Sequence, residues 1–159
     1  VSLAWRAMAA GDLPAVAALE TISHAPLPPE GEALFAERLA LFPAGCLVVS
    51  DDAGLAAYVV SHPWRIGGPP KLGERLGMLP DSPDCLHLHD IAIAQRARGK
   101  GLVGAAVARL TEVAREAALP VITLVSVHGT EALWARQGFR PAPATTTGYG
   151  EAVYMVRAA

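Results

Sequence analysis

The chain has 159 residues, a formal charge of -2 and an isoelectric point near 6.2, with 52% hydrophobic residues. That size suits one domain, over 1–159, with one substantial core, and the near-neutral charge excludes a general nucleic-acid or membrane-surface binder. No apolar run approaches the roughly 18–20 residues that span a bilayer, no secretory signal pattern opens the chain, and two widely separated cysteines, Cys46 and Cys85, read as free thiols, so a cytoplasmic protein is expected.

Residues 3–8 read as a short first strand. Asp12 is placed to cap a helix over 13–22, with Pro14 tolerated in its first turn. The segment 23–32 carries three prolines and cannot continue that helix. A second helix follows over 32–41, where Leu34, Phe35, Arg38 and Leu39 recur at helical spacing. Residues 46–50 and 55–62 are apolar strands joined through Asp51-Asp52-Ala53-Gly54, a hairpin signal. From 62 to 84 the chain is rich in Pro and Gly, and an irregular stretch of that length predicts a functional cover or a disordered loop. A strand over 86–94 enters a glycine-rich turn. A helix over 102–118 follows, with Val103, Val107, Leu110 and Val113 on its buried side. Pro120 precedes a strand over 121–127, and a short helix over 130–137 stops at Gly138, a natural C-cap. Residues 139–142 and 151–156 read as a closing pair of strands joined through 144–150. This order predicts a mixed α/β sheet with one central crossover.

The most informative stretch is 86–104, LHLHDIAIAQRARGKGLVG, an apolar strand leading through a basic glycine turn into a helix. A helix start presents free N–H groups and the positive end of the macrodipole, and so holds phosphate. Gly99, Gly101 and Gly104 permit close approach of the main chain, and Arg96, Arg98 and Lys100 add positive charge. The turn reads as a pyrophosphate cradle. Gly99-x-Gly101-x-x-Gly104 fits the dinucleotide fingerprint, yet the next strand ends Leu124-Val125-Ser126-Val127-His128, without the carboxylate that would hold a ribose. A Walker A loop is excluded because Gly101 follows Lys100 where Ser or Thr is required.

The same residues resemble the GCN5-related N-acetyltransferase (GNAT) family across nearly the whole chain. Arg96-Ala97-Arg98-Gly99-Lys100-Gly101 matches the loop that in this family grips the pyrophosphate of acetyl-CoA. A second register runs Arg98-Gly99-Lys100-Gly101-Leu102-Val103, with Val103 a departure, and both put the same N–H groups, up to Gly104, at the helix start. Trp134-Ala135-Arg136-Gln137-Gly138-Phe139 resembles the family's Tyr-x-x-x-Gly-Phe signature, with indole in place of phenol. The resemblance implies the GNAT fold, a mixed and mostly antiparallel sheet with a splayed central strand pair and flanking helices. It also implies acetyl-CoA as co-substrate, with its thioester and pantetheine along Ile91, Ala92 and Ile93.

Transfer to an amine requires that the alkylammonium, with a pKa of roughly 10, lose a proton. His87 and His89 lie two apart on a strand and so share a face, and a neutral imidazole accepts a proton at neutral pH. His87-Leu88-His89 is similar to the His-x-His strand of the serotonin (arylalkylamine) N-acetyltransferase branch, where two histidines serve a water-linked proton path, and Pro26-Leu27 is similar to that branch's acceptor loop. The alternative is a pair of half-exposed strand histidines without a catalytic task, and Cys85, His87 and His89 alternate onto one face as soft metal ligands, though no fourth ligand is evident. Trp134 cannot release a proton to the leaving thiolate; Ser126, His128 and Tyr58 are candidate substitutes, His128 reading better as a helix-start hydrogen-bond donor. Trp64, Pro63, Leu72, Leu76 and Met78 offer an apolar wall for a hydrophobic amine, unless Leu72, Leu76 and Leu79 merely anchor a short helix. Glu30, Glu32 and Glu74 are candidates to hold an ammonium.

These readings predict an acetyl-CoA-dependent N-acetyltransferase acting directly on a small, arylalkyl-type primary amine, with a homodimer left open. The alternatives are a protein or peptide N-acetyltransferase and a non-catalytic acyl-CoA-binding module.

Overall fold

The computed structural model describes residues 3–145 and 152–159. Most of the expected 144–150 connection, and Glu151 at the start of the last expected strand, lie outside them. The elements in chain order are β1 (Arg6–Ala7), α1 (Leu13–Ser23), α2 (Glu32–Leu41), β2 (Cys46–Asp51), β3 (Gly54–Trp64), β4 (Cys85–Ile93), α3 (Leu102–Glu116), β5 (Val121–Ser126), α4 (Glu131–Arg136), β6 (Arg140–Pro141) and β7 (Val153–Ala158). Among the described residues they form one sheet in the order β1-β2-β3-β4-β5-β7-β6. All pairings are antiparallel except β4 with β5, the single crossover, which α3 spans.

α2 begins after Gly31, which sits at φ +92, and fills the expected span. The first strand shrinks to two residues, and Asp12 caps no helix N–H: its carboxylate takes the Ala9 N–H at 2.8 Å and pairs with Arg6. β3 runs two residues past its expected end, through Pro63. β2 has stopped opposite Val60, so the missing proline donor falls on an open edge.

Two apolar layers sandwich the sheet. On one face Leu102, Ala106, Leu110 and Ala114 of α3 pack on Leu86, Leu88, Ile122 and Leu124, with Trp134 and Phe139 beside them. On the other, Leu13, Val16 and Leu19 of α1 and Phe35 of α2 cover Cys46, Val48, Tyr58 and Val60. Trp5 donates its indole N–H to the Leu102 carbonyl at 3.0 Å and so fixes the start of α3.

Two irregularities build the site. First, β4 carries a bulge: Val60 pairs with Asp90 and Ser61 with Leu88, which leaves His89 unpaired. Leu86 and Leu88 face α3 before the bulge, Ile91 and Ile93 after it. His89 and Asp90, adjacent in sequence, both turn toward α1, α2 and the segment between them. Second, β4 and β5 pair only at Leu86–Ile122, His87–Thr123 and Leu88–Leu124, then part. Ala94 N–H bonds the Ala56 carbonyl of β3 at 2.8 Å. Because N–H direction alternates along a strand, Ile91 and Ile93 point theirs into the gap and Ala92 does not.

Candidate active site

The gap opens into a cleft of about 870 Å³. One wall is the start of α3. Gly99 and Gly101 sit at φ +74 and +77, the left-handed region that glycine occupies without strain, and a Cβ at either would meet nothing within 4 Å. The first helical bond runs from Ala105 N–H to Gly101, which leaves the N–H groups of Leu102, Val103 and Gly104 without backbone partners. Arg98, Gly99, Gly101, Leu102, Val103 and Gly104 all border the cleft. This donor set, open and uncrowded, fits a pyrophosphate. Arg96 is not part of it: its guanidinium grips Asp51 at 2.8 and 3.0 Å and the Leu55 carbonyl, which locks the β2–β3 hairpin to the turn. Lys100 is exposed on the turn and does not line the cleft.

The two strand histidines lie side by side, ring centroids 5.8 Å apart, but only one borders the cleft. His87 is 1% exposed, bonds Thr123 Oγ1 through Nδ1 at 2.8 Å and does not border the cleft, so it cannot meet a substrate there. Burial keeps it neutral, its pKa pushed well below the ordinary range. Nor is the pair half-exposed, as one reading had it. His89 does border the cleft, but both its nitrogens are committed. His62 donates Nδ1–H to the Pro63 carbonyl and receives at Nε2 from His89 Nδ1, 3.3 Å away; His89 Nε2 faces Glu30 Oε1 at 3.2 Å, with Arg38 Nη2 alongside. Burial, aided by the His89 charge, lowers the His62 pKa to about 3. Cys85, His87 and His89 do not converge: Thr123 stands between the first two, and burial lifts the Cys85 thiol to about 11.

Of the expected acidic trio only Glu30 reaches the cleft; Glu32 and Glu74 are exposed. Burial would push the Glu30 carboxyl up, but the His89 hydrogen bond and the His89 and Arg38 charges reverse this and hold it at about 2. Glu20 and Asp90 join Glu30, with carboxylate oxygens within 4.8 Å of one another. Neither was singled out from sequence; the one available signal was a carboxylate inside the apolar run of β4. Glu20 accepts the N–H groups of Glu30 and Gly31 at 2.8 and 3.1 Å, and burial raises its pKa. Asp90 accepts from Tyr58 Oη at 2.7 Å and from His24 Nε2 at 2.6 Å. Tyr58 is buried and does not border the cleft, its hydroxyl spent on Asp90, and Ser126 is bonded to Thr130. His128 is no helix-start donor. It lies three residues before α4, at φ +56, with Nε2 3.3 Å from His24 Nδ1. Trp134, buried at 6%, lines the apolar part of the cleft with Leu124 and Leu133.

In the segments expected to meet an acceptor, Leu27 borders the cleft, whereas Pro26 is exposed and outside it. Trp64 is also outside, packed edge-on against His62 with its indole N–H on the Gly68 carbonyl. Of the expected apolar wall only Leu72 remains, and Met78 is 74% exposed. No helix forms over 72–79; backbone bonds to α2 and its entry hold that stretch instead. Glu37 accepts Leu76 and Gly77 N–H at 2.7 and 3.1 Å, Glu30 accepts Gly73 N–H, and Arg38 donates to the Glu74 carbonyl. Residues 65–84 are thus a strap tied to α2 and the segment before it, with Leu72 at the cleft. Glu37→Ala removes two of these ties, at a local cost of about 1–3 kcal/mol. Trypsin should then cut at exposed Lys71 and Arg75 several-fold faster; an unchanged rate would mean that the strap is held elsewhere.

The family model described as Acetyltransferase (GNAT) family matches residues 13–139. The chain belongs to this GNAT family. Among solved structures, the loading GNATL domain of CurA from Lyngbya majuscula aligns at TM-score 0.82 and 10% identity, over 99% of this chain and 98% of that one. The ribosomal-protein-S18-alanine N-acetyltransferase from Escherichia coli aligns at TM-score 0.68 and 20% identity, over 99% and 94%. The Escherichia coli GNAT N-acetyltransferase YhbS, solved with CoA, gives 0.65 and 21%, over 98% and 81%. These likenesses establish the GNAT fold. No curated protein matches the chain. Among the described residues no helix is long and apolar enough to cross a membrane.

Proposed function

We propose that this GNAT protein transfers acetyl from acetyl-CoA directly to the primary amine of a small acceptor. One observation carries the reading. The unpartnered N–H groups at the start of α3, the inward N–H groups of Ile91 and Ile93, and the carboxylates of Glu20, Glu30 and Asp90 all face one cleft. The first set suits a pyrophosphate, the second the pantetheine and thioester, and the third an ammonium. Arg98 and the Gly99–Gly104 turn would hold the CoA diphosphate, and Leu27 and Leu72 would border the body of the amine. The YhbS structure with CoA supports the choice of carrier. Trp134 supplies no acid, and none is required, since a thiol of pKa about 8.5 is a competent leaving group.

The arylalkylamine-type acceptor rests on the His87-Leu88-His89 resemblance. In this reading His89 works at the cleft by holding Glu30 ionised, and His87 packs edge-on against the His89 ring, centroids 5.8 Å apart. A peptide acceptor is favoured less, because the strap over 65–84 crosses the end that a peptide would have to enter. The test follows CoA thiol release from acetyl-CoA against phenylethylamine, tryptamine, polyamines and a lysine peptide. Turnover of the arylalkylamines at least about tenfold above the peptide is expected, a difference of roughly 1.4 kcal/mol in transition-state binding. Faster turnover of the peptide overturns the acceptor assignment. Thermal stabilisation by CoA with no thiol release on any amine means a binding module.

A further inference from the structure

We infer that His128 and His24, backed by Asp90, form the relay that takes the proton from the reacting amine. This rests on the acetyl-transfer reading above and assigns its proton path to residues outside the β4 His-x-His pair.

The hydrogen bonds fix the direction of the relay. Asp90 Oδ1 lies 2.6 Å from His24 Nε2, so His24 donates there and its Nδ1 becomes the acceptor. Nδ1 lies 3.3 Å from His128 Nε2, which donates to it, and the rings stand near-parallel, 11° apart. His128 Nδ1 is then the free end, on an exposed residue bordering the cleft. His128 is held at φ +56, a conformation that few residues other than glycine adopt, by Gly129 at φ +69 and by Thr130, whose hydroxyl bonds the Val127 carbonyl at 2.6 Å. Asp90 is itself fixed by the Tyr58 hydroxyl. The groups facing His24 are Asp90 from β4, Glu20 from α1, Glu30 from the segment before α2 and His128 from the turn after β5. Burial disfavours a charge on His24, but the Asp90 bond and charge, with Glu20 and Glu30, outweigh it and hold the ring above its ordinary value. Positive charge therefore settles on His24.

The step balances. The ammonium gives one proton to His128 Nδ1 while the proton on His128 Nε2 moves to His24 Nδ1. The freed lone pair forms the C–N bond at the thioester carbon, and the C–S bond breaks with its pair on sulfur. The surplus proton on nitrogen goes to that thiolate. His24 returns its own proton through His128 to water, so one proton is released per turnover.

The test measures the pH dependence of kcat/KM with phenylethylamine and acetyl-CoA. His24→Ala should lower the rate about 100-fold near pH 7, the usual worth of a positioned base. The loss should shrink below tenfold near pH 9.5, where more of an amine of pKa roughly 10 is already neutral. Added imidazole should restore part of it. Asp90→Asn removes the charge that raises His24, so the acid limb of the profile should move to lower pH. Calorimetry with CoA alone should give unchanged affinity for both variants, which shows that the fold and cradle are intact. A His24→Ala profile parallel to the parent, or no rescue by imidazole, overturns the relay and leaves acetyl transfer standing. Failure of the unaltered protein to release thiol from any amine overturns the reading beneath it.

Discussion

Gly101→Asp should abolish measurable coenzyme A binding. Gly101 is the residue before α3 at φ +77, and no atom stands within 4 Å of the place a Cβ would take, so the effect is not crowding. Two terms add. A left-handed conformation costs an L-residue about 1–2 kcal/mol. The new carboxylate lies among N–H groups whose partial positive charge is the attraction for a diphosphate, and it repels the diphosphate while occupying its donors. Together they amount to about 3 kcal/mol or more, a loss of at least roughly 100-fold. Gly101→Ala carries the backbone term alone and should retain binding within about tenfold. Calorimetric titration with CoA separates the two. Equal affinity in the Asp variant would move the diphosphate site away from α3.

Arg38→Met should produce the largest loss of stability. Arg38 is 1% exposed and bonds the Leu34 carbonyl, the Glu74 carbonyl and Glu30, with His89 alongside. Removing one partner from a buried ion pair costs about 3–5 kcal/mol, because the other charge is left behind. Urea unfolding near neutral pH reads this directly, and a change below about 1 kcal/mol would mean that His89 suffices to hold Glu30. The pH dependence supplies a second signature. The Glu30 pKa falls from an ordinary 4.5 to about 2 on folding, so its contribution is complete above pH 4.5 and is lost as pH falls toward 2. A shift of that size corresponds to about 3 kcal/mol. Without Arg38 the folded pKa rises, the window narrows from its acid end, and less stability remains to be lost by acid. A variant with the parent's full acid loss would show that the Arg38 charge does not act on Glu30.

Much of the fold was legible because local signals and packing agree. The helical spacing of Leu34, Phe35, Arg38 and Leu39 gave α2 its span, and the positive-φ Gly138 stopped α4 as its position implied. The open turn before α3 was legible because its glycines stand in the sequence, and they take the positive φ that leaves the N–H groups of the first helical turn uncovered. The carboxylate end of the cleft was not. The bulge at His89 depends on how β4 meets β3, so alternation along β4 correctly grouped His87 with His89 yet could not reveal that Asp90 turns the same way. His24 ends α1 and His128 follows β5, 104 positions apart, and only the packed sheet brings their rings together. Arg96 misled for the converse reason: a basic residue near a phosphate turn also finds Asp51 across the hairpin. Trp64 looked like a wall because the sequence does not show that β3 continues through Pro63 and carries the indole outside the cleft.

The short parallel seam between β4 and β5 has a mechanical consequence. Three rungs of main-chain pairing join one plate of strands, β1 to β4, to a smaller one made of β5, β7 and β6, with α3 as the chief brace. Each plate is paired strand to strand within itself, whereas the wedge between them is open at its wide end. A guest bound along that wedge as proposed, its middle on β4 and its charged head on the brace, would act as mortar between masonry that is otherwise bonded at one corner.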